Sequence, residues 1–215
     1  MAVMNINPTR MELTNLKRKL VTARRGHKLL KDKRDELMRQ FLELIRENKK
    51  LREKVENAIA EANRHFSMAS ASMSDESLTV SLMMPSQRMT VELKEKNIMS
   101  VKTPVLVPEY KFADGGEVYS YGLAFTSGDL DDGVKALSEI MPDMLRLAEV
   151  EKTCQLLSSE IEKTRRRVNA LEYVMIPDYE DTIKYITMKL DENERSNTTR
   201  LMKIKDMMLQ QSQGI

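Results

Sequence analysis

One register of apolar residues governs the first third of the chain. With Leu13 at position a of a heptad, the a positions are Leu13, Leu20, His27, Arg34, Phe41, Asn48, Val55 and Ala62. The d positions are Leu16, Ala23, Leu30, Leu37, Leu44, Leu51, Ala58 and His65. The alternating three- and four-residue spacing holds from Arg10 to His65 without a stutter, and charged residues fill most other positions. A repeat of 3.5 residues keeps one narrow seam facing a partner only if the helices supercoil left-handedly. At 1.5 Å per residue such a helix would run for about 85 Å, well beyond an ordinary globular helix. A coiled-coil rod is the expectation.

Composition fits a chain that buries a narrow seam. Of 215 residues, 32% are charged and 5% aromatic, with no Trp and seven Gly. Cys154 is the only cysteine, which excludes an internal disulfide and points to a reducing compartment. The first residues lack the basic and apolar regions of a secretory signal, and no apolar run reaches the length of a membrane span. A soluble, cytoplasmic protein without direct membrane insertion is expected. The net charge of +2 conceals an asymmetry: residues 10–34 carry ten Lys/Arg and two acids, whereas residues 66–139 carry six against eleven. The basic end should prefer an anionic surface.

Asn7-Pro8 reads as a helix start, with Asn7 as cap and Pro8 in the first turn. The polar a residues His27, Arg34 and Asn48 weaken the seam but set its register. After His65 the pattern lapses. Leu78–Leu82, Met89–Leu93, Val105–Val107 and Glu117–Tyr121 read as short strands separated by turns. Asp129 to Ile140 reads as a short helix, and Pro142 as the start of another.

From Pro142 a second seam runs through Leu147, Val150, Cys154, Leu157, Ile161, Thr164, Val168, Leu171 and Met175. It then slips by one residue to Ile176, Tyr179, Ile183, Ile186 and Leu190, and Pro177 at the slip predicts a bend. Residues 191–200 are almost wholly polar, after which Leu201, Ile204 and Met208 restore an apolar stripe. The expected organisation is an N-terminal helix over 1–67, an insert of β-hairpins and a short helix over 68–141, and a C-terminal helix over 142–215. The fold class is mainly α: a long antiparallel two-helix left-handed coiled coil with a small insert at one end. Counting outward from Pro142 places Leu44 opposite Val168.

The residue patterns of common chemistry are missing. There is no phosphate-binding glycine loop, no dinucleotide fingerprint and no HExxH, and the two histidines both fall on the seam. Asp131-Asp132 and Glu180-Asp181 lack a calcium-type loop and read as helix-end or solvated charges. Cys154 reads as a small buried hydrophobe. No catalytic residue, cofactor or metal site is expected. What remains is surface: Arg165-Arg166-Arg167, Arg10, and a basic stripe that includes Lys17, Arg24 and Arg25. A partner interface is expected along these residues and the stripe Leu201, Ile204 and Met208. The run Arg165–Arg167 suits a solvated face or an acidic partner. No base-reading pattern or stacking aromatic accompanies the basic stripe, which argues against nucleic acid.

Two stretches resemble a known family. NPTRMELTNLKRKL from Asn7, continued by ARRGHKLLKDKRDEL from Ala23, is similar to the start of the D subunit of V-type (archaeal and bacterial A/V-type) ATPases. KTRRRVNALEYVMIP from Lys163 and TIKYI from Thr182 resemble the second signature of that family. The resemblance implies a central-stalk rotor that couples ATP hydrolysis or synthesis to proton or sodium translocation without doing chemistry itself. It implies that both helices and the termini enter the ring of nucleotide-binding A and B subunits. The small central-stalk F subunit, and the component docking the stalk onto the membrane rotor ring, would lie lower. By the same resemblance the insert governs contact with the lower stalk; its hairpin, read from the residues themselves, is expected at 78–93. Two other classes fit the residues alone: a prefoldin-like coiled-coil chaperone, and a basic coiled-coil nucleic-acid binder.

Overall fold

The structure, a computed structural model, describes residues 6–83, 87–112, 119–122 and 126–213. In chain order it contains α1 (Arg10–Ser72), α2 (Asp75–Leu82), β1 (Gln87–Ile98), β2 (Val101–Phe112), α3 (Gly128–Ala170), a π-turn (Leu171–Met175) and α4 (Ile176–Gln213). The chain divides into two compact units. A terminal unit joins the residues up to Asp35 to those from Glu162 onward, and a central unit comprises Glu36–Ile161.

The heptad reading of α1 holds. Every a and d position from Leu13 to His65 is buried or half-buried, and the seam continues one heptad further to the fully buried Ala69. The helix is capped by Thr9 rather than Asn7: Thr9 Oγ1 accepts the N–H of Glu12 at 3.2 Å. Thr9 and Glu12 have the spacing of a capping box.

Within the terminal unit α1 and α4 are antiparallel. Arg10 pairs with Glu194, and Arg24 with Glu180 at 2.6 Å, so partner numbers fall as α1 advances. The central unit shows the same sense. Lys54 meets Asp143 at 2.6 Å, Leu37 packs with Leu157 and Ile161, and the Cα of Gly133 faces His65 and Phe66. A Cβ at Gly133 would sit 3.4 Å from both side chains, so glycine is what lets α3 approach α1 closely there.

The expected register is corrected by this pairing. Leu44 lines a cleft with Val150 and Thr153, not with Val168, an offset of about four helical turns. The cause is Pro142. It does not open a helix; it lies inside α3, which begins fourteen residues earlier at Gly128. An interior proline removes one helical hydrogen bond and costs about 3 kcal/mol. Burial on both sides of it, of Leu130, Ile140 and Val150, offsets that cost at about 1.5–3 kcal/mol per large apolar side chain.

Of the four expected strands, Leu78–Leu82 is helical. Ser74 caps α2 by accepting the N–H of Ser77, and Asp75 and Glu76 occupy the first turn, where acids favour a helix. Ser77, Leu78 and Ser81 form its inward side at helical spacing, which outweighs the apparent alternation. Met89–Leu93 and Val105–Val107 do lie in strands, each longer than expected. The hairpin is therefore 87–112 and not 78–93. Glu117 and Val118 fall outside the described residues, and Tyr119–Tyr121 forms no strand.

β1 and β2 form a two-stranded antiparallel sheet closed by Met99 and Ser100, whose φ values of 48° and 75° both lie in the left-handed region. Two successive positive φ angles are what a two-residue hairpin turn needs to match strand twist. Asn97 Oδ1 accepts the N–H of Ser100 at 2.9 Å and supports the turn. Pro104 and Pro108 stand opposite Glu95 and Val91. Their equal parity puts both missing donors on the outer edge of β2, where no ladder bond is lost and edge pairing is discouraged. The turn end of the hairpin is its buried end. Val101 joins Leu37, Leu157 and Ile161 in a core cluster, with Ile98, Phe41, Leu44 and Leu156 against it.

Candidate partner-binding surface

All ten residues expected at a partner interface lie in the terminal unit, and all ten are exposed. Arg10 and Arg24 are already engaged within the chain, with Glu194 and Glu180. Arg166 pairs with Glu162 one turn earlier on its own helix. Lys17, Arg25, Arg165 and Arg167 present their charge to solvent. In the run Arg165–Arg167 the seam falls to either side, at Thr164 and Val168, both nearly fully buried. Helical spacing thus turns the three guanidiniums outward.

The apolar stripe is the more informative feature. Leu201, Ile204 and Met208 are 67%, 45% and 66% exposed, and every side chain from Asp191 to Met208 is exposed. A stretch of exposed Leu, Ile and Met side chains of this length is an apolar stripe left open to solvent among the described residues.

The slip in the second seam has a structural form that the sequence shows only as a shift of phase. Leu171 and Ile176 are both half-buried, five residues apart, while Met175 is exposed. The N–H of Ile176 donates to the carbonyl of Leu171, closing a π-turn that absorbs the extra residue. Pro177 then falls in the first turn of α4, where its missing donor is tolerated. Opposite this turn His27 Nε2 stands 3.4 Å from Glu172 Oε2.

Other polar residues serve structure. Tyr121 donates its hydroxyl to Asp131 Oδ1 at 2.7 Å, and burial together with that carboxylate raises its pKa above the ordinary phenol value. The other carboxylate pair is represented by Glu180, in its ion pair with Arg24. Cys154 is half-buried, and burial followed by the nearby Glu47 and Glu151 pushes its thiol pKa up, which keeps it protonated and poorly nucleophilic. Among the described residues no group of three or more His, Cys, Asp or Glu side chains could hold a metal ion, and no helix is long and apolar enough to cross a membrane.

Antiparallel helices with buried seams, charged outer faces and an exposed apolar end define an assembly component, a protein whose surfaces are completed by other chains. Comparison with known proteins identifies the assembly. Residues 12–206 match the family of the ATP synthase D subunit. The V-type ATP synthase D subunit of Acetivibrio thermocellus is 60% identical over 212 residues, covering 99% of this chain and 96% of the relative. That of Clostridioides difficile is 61% identical over 213 residues, covering 99% and 95%. The protein of the same name from Fusobacterium nucleatum is 56% identical over 211 residues, covering 97% and 98%. The chain belongs to the ATP synthase D-subunit family. It is a stalk protein, which assembles with the other subunits of the ATPase.

Proposed function

We propose that the chain is the central rotor shaft of a V-type ATPase, and that its terminal unit is the part held inside the ring of nucleotide-binding A and B subunits. ATP hydrolysis in that ring turns the shaft and drives proton or sodium translocation, or ion flow turns it the other way and drives synthesis. The shaft performs no catalysis. Torque arises because each nucleotide state of the ring has a different affinity for the faces presented to it, and only such differences shift a conformational equilibrium. The central unit, with its hairpin 87–112, serves the lower stalk: the small F subunit and the component that docks on the membrane rotor ring. The protein is thus cytoplasmic and peripheral, bound to the membrane through its complex.

The observation that supports this reading is the end of α4, helical and apolar-striped yet exposed from Asp191 to Met208. Such a segment fits a protein sleeve around it. Arg165, Arg166 and Arg167 supply a cationic girdle on the same unit, suited to acidic loops of the surrounding proteins. The test is reconstitution with the A and B subunits, using a chain that ends at Asn197. This variant keeps the Arg10–Glu194 pair and removes Leu201, Ile204 and Met208. It should melt within about 2 °C of the full chain, because residues 198–209, which it loses, are all exposed. It should also fail to form a stable ring-plus-shaft complex on gel filtration. A truncated chain that assembles and sustains full ATP hydrolysis would refute the placement of α4 in the ring.

A further inference from the structure

Along α3 and α4 the seam advances by three and four residues except once, at the five-residue step from Leu171 to Ile176. In an unbroken α-helix one extra residue would swing everything from Ile176 onward about 100° out of the seam. The π-turn prevents this, since Ile176, Ile183, Ile186 and Leu190 all return to the α1 side, with Ile186 fully buried. The turn itself is weakly held. None of its residues is buried, and Glu172, Tyr173, Val174 and Met175 are all exposed. On α1, beside His27, a Cβ at Gly26 would meet nothing within 4 Å. Glu172 ties the turn to α1 through the 3.4 Å contact with His27. Moving a π-turn along a helix exchanges one long-ring hydrogen bond for another and rotates only the residues passed over.

We propose that Leu171–Met175 is a torsional joint in the terminal unit, at which the π-turn shifts along the helix and returns, rotating the residues it passes against α1 while the seams on either side stay closed. Twist is then taken up at one loosely packed turn instead of being spread along buried side chains, and the Glu172–His27 contact sets the resting position. The use of such a joint in a turning shaft rests on the rotor reading above; its existence does not.

The experiment combines hydrogen exchange on the free chain with ATP hydrolysis by the ring-plus-shaft complex. In the native chain, amides of Tyr173–Ile176 should exchange about tenfold or more faster than those of Thr182–Ile186 on the same helix. Deleting Met175 restores an unbroken heptad and should slow the first group to the rate of the second. It should also raise the melting temperature. The complex should still assemble with the deletion but turn over ATP about twofold or more slowly, as expected where a conformational step limits the rate. Equal exchange of the two groups in the native chain would overturn the proposal. So would a lower melting temperature after the deletion, or unchanged turnover in an assembled complex. Should the deletion not fold, Glu172→Ala provides the second reading: faster exchange at the turn with Thr182–Ile186 unaffected supports the joint, and no change refutes it. If the native chain fails to assemble with the ring, the rotor reading falls, and the exchange comparison still decides the joint.

Discussion

The central unit and the terminal unit are built on the same antiparallel helix pairing but complete it differently. In the central unit a third element arrives: the turn end of the hairpin brings Ile98 and Val101 against Leu37, Leu157 and Ile161. Among the described residues the terminal unit has no such cover. Leu16, Val168 and Ile186 are buried in its seam, while Val21, Leu29, Tyr173, Val174 and Met188 stand exposed on its outer faces. A two-helix seam can bury only a stripe of each helix, so apolar residues outside that stripe stay exposed. The contrast is between a seam covered by a third element and a seam formed by two helices alone among the described residues.

The largest expected effect tests the covered seam. Leu157→Ala removes a fully buried side chain from a cluster enclosed by three elements, where the cavity has little freedom to collapse. It should cost about 3–4 kcal/mol in urea denaturation. Leu16→Ala, equally buried but in a two-helix seam, should cost less, about 2 kcal/mol, because water and neighbouring side chains refill the gap. The reverse order would break the comparison. Next in size is a gain. Pro142→Ala restores an N–H to the middle of α3 and should stabilise the chain by about 1–2 kcal/mol, part of the full proline penalty having been relaxed by local geometry. Destabilisation would mean that Pro142 packs in a way alanine cannot replace.

Pro142 also marks where the sequence was legible and where it was not. The seams were readable because period and burial are the same physical fact: each a and d residue of α1 up to His65 is at least half-buried. The start of α3 was not, since propensity favours proline in a first turn and only tertiary packing holds it in an interior one. The error in register followed from that single position. The hairpin turn was hidden because Met99-Ser100 carries none of the residues that usually take positive φ. Leu78–Leu82 misled because five residues fit either period, and the deciding signal was the Ser74 cap just outside them. The π-turn was visible as a one-residue slip beside Pro177, but a phase shift alone does not distinguish a bend from an inserted turn. At the candidate surface, residue type and spacing sufficed to predict exposure; the pairing of Arg10 and Arg24 within the chain needed the register.

A smaller effect sharpens the central side of the comparison. Tyr121→Phe removes the hydroxyl held by Asp131 and should cost about 1 kcal/mol at neutral pH. Because the folded phenol pKa is raised, the unfolded chain loses its proton first, near the ordinary value of about 10. The contribution is therefore complete below that pH and declines as pH rises beyond it. Stability measured from pH 8 to 11 should fall for the native chain and converge on that of the variant. Parallel curves would show that the hydroxyl contributes no titrating bond.

The smallest effect concerns the terminal unit, where ion pairs bridge the two helices outside the seam. Arg24 and Glu180 meet at 2.6 Å, and both remain substantially exposed. Exposed pairs of this kind contribute about 0.2–1 kcal/mol, because each charge keeps most of its hydration and the two side chains lose rotamer freedom. A double-mutant cycle with Arg24→Ala and Glu180→Ala should therefore give a coupling of about 0.5 kcal/mol in the free chain. Raising the salt from 0.05 M to 0.5 M should reduce it, as the screening length falls below the spacing of the surrounding charges. The same cycle in the assembled complex distinguishes two roles. If partner proteins cover this face, water is displaced and the coupling should grow, since the effective dielectric falls. If the coupling vanishes, Arg24 has exchanged Glu180 for an acid on a partner, and the in-chain pair is only how the residue waits. An equal coupling in both states, with the same dependence on salt, would mean that this face stays in solvent. Any cover on the terminal unit would then lie elsewhere, along α4 beyond Glu194.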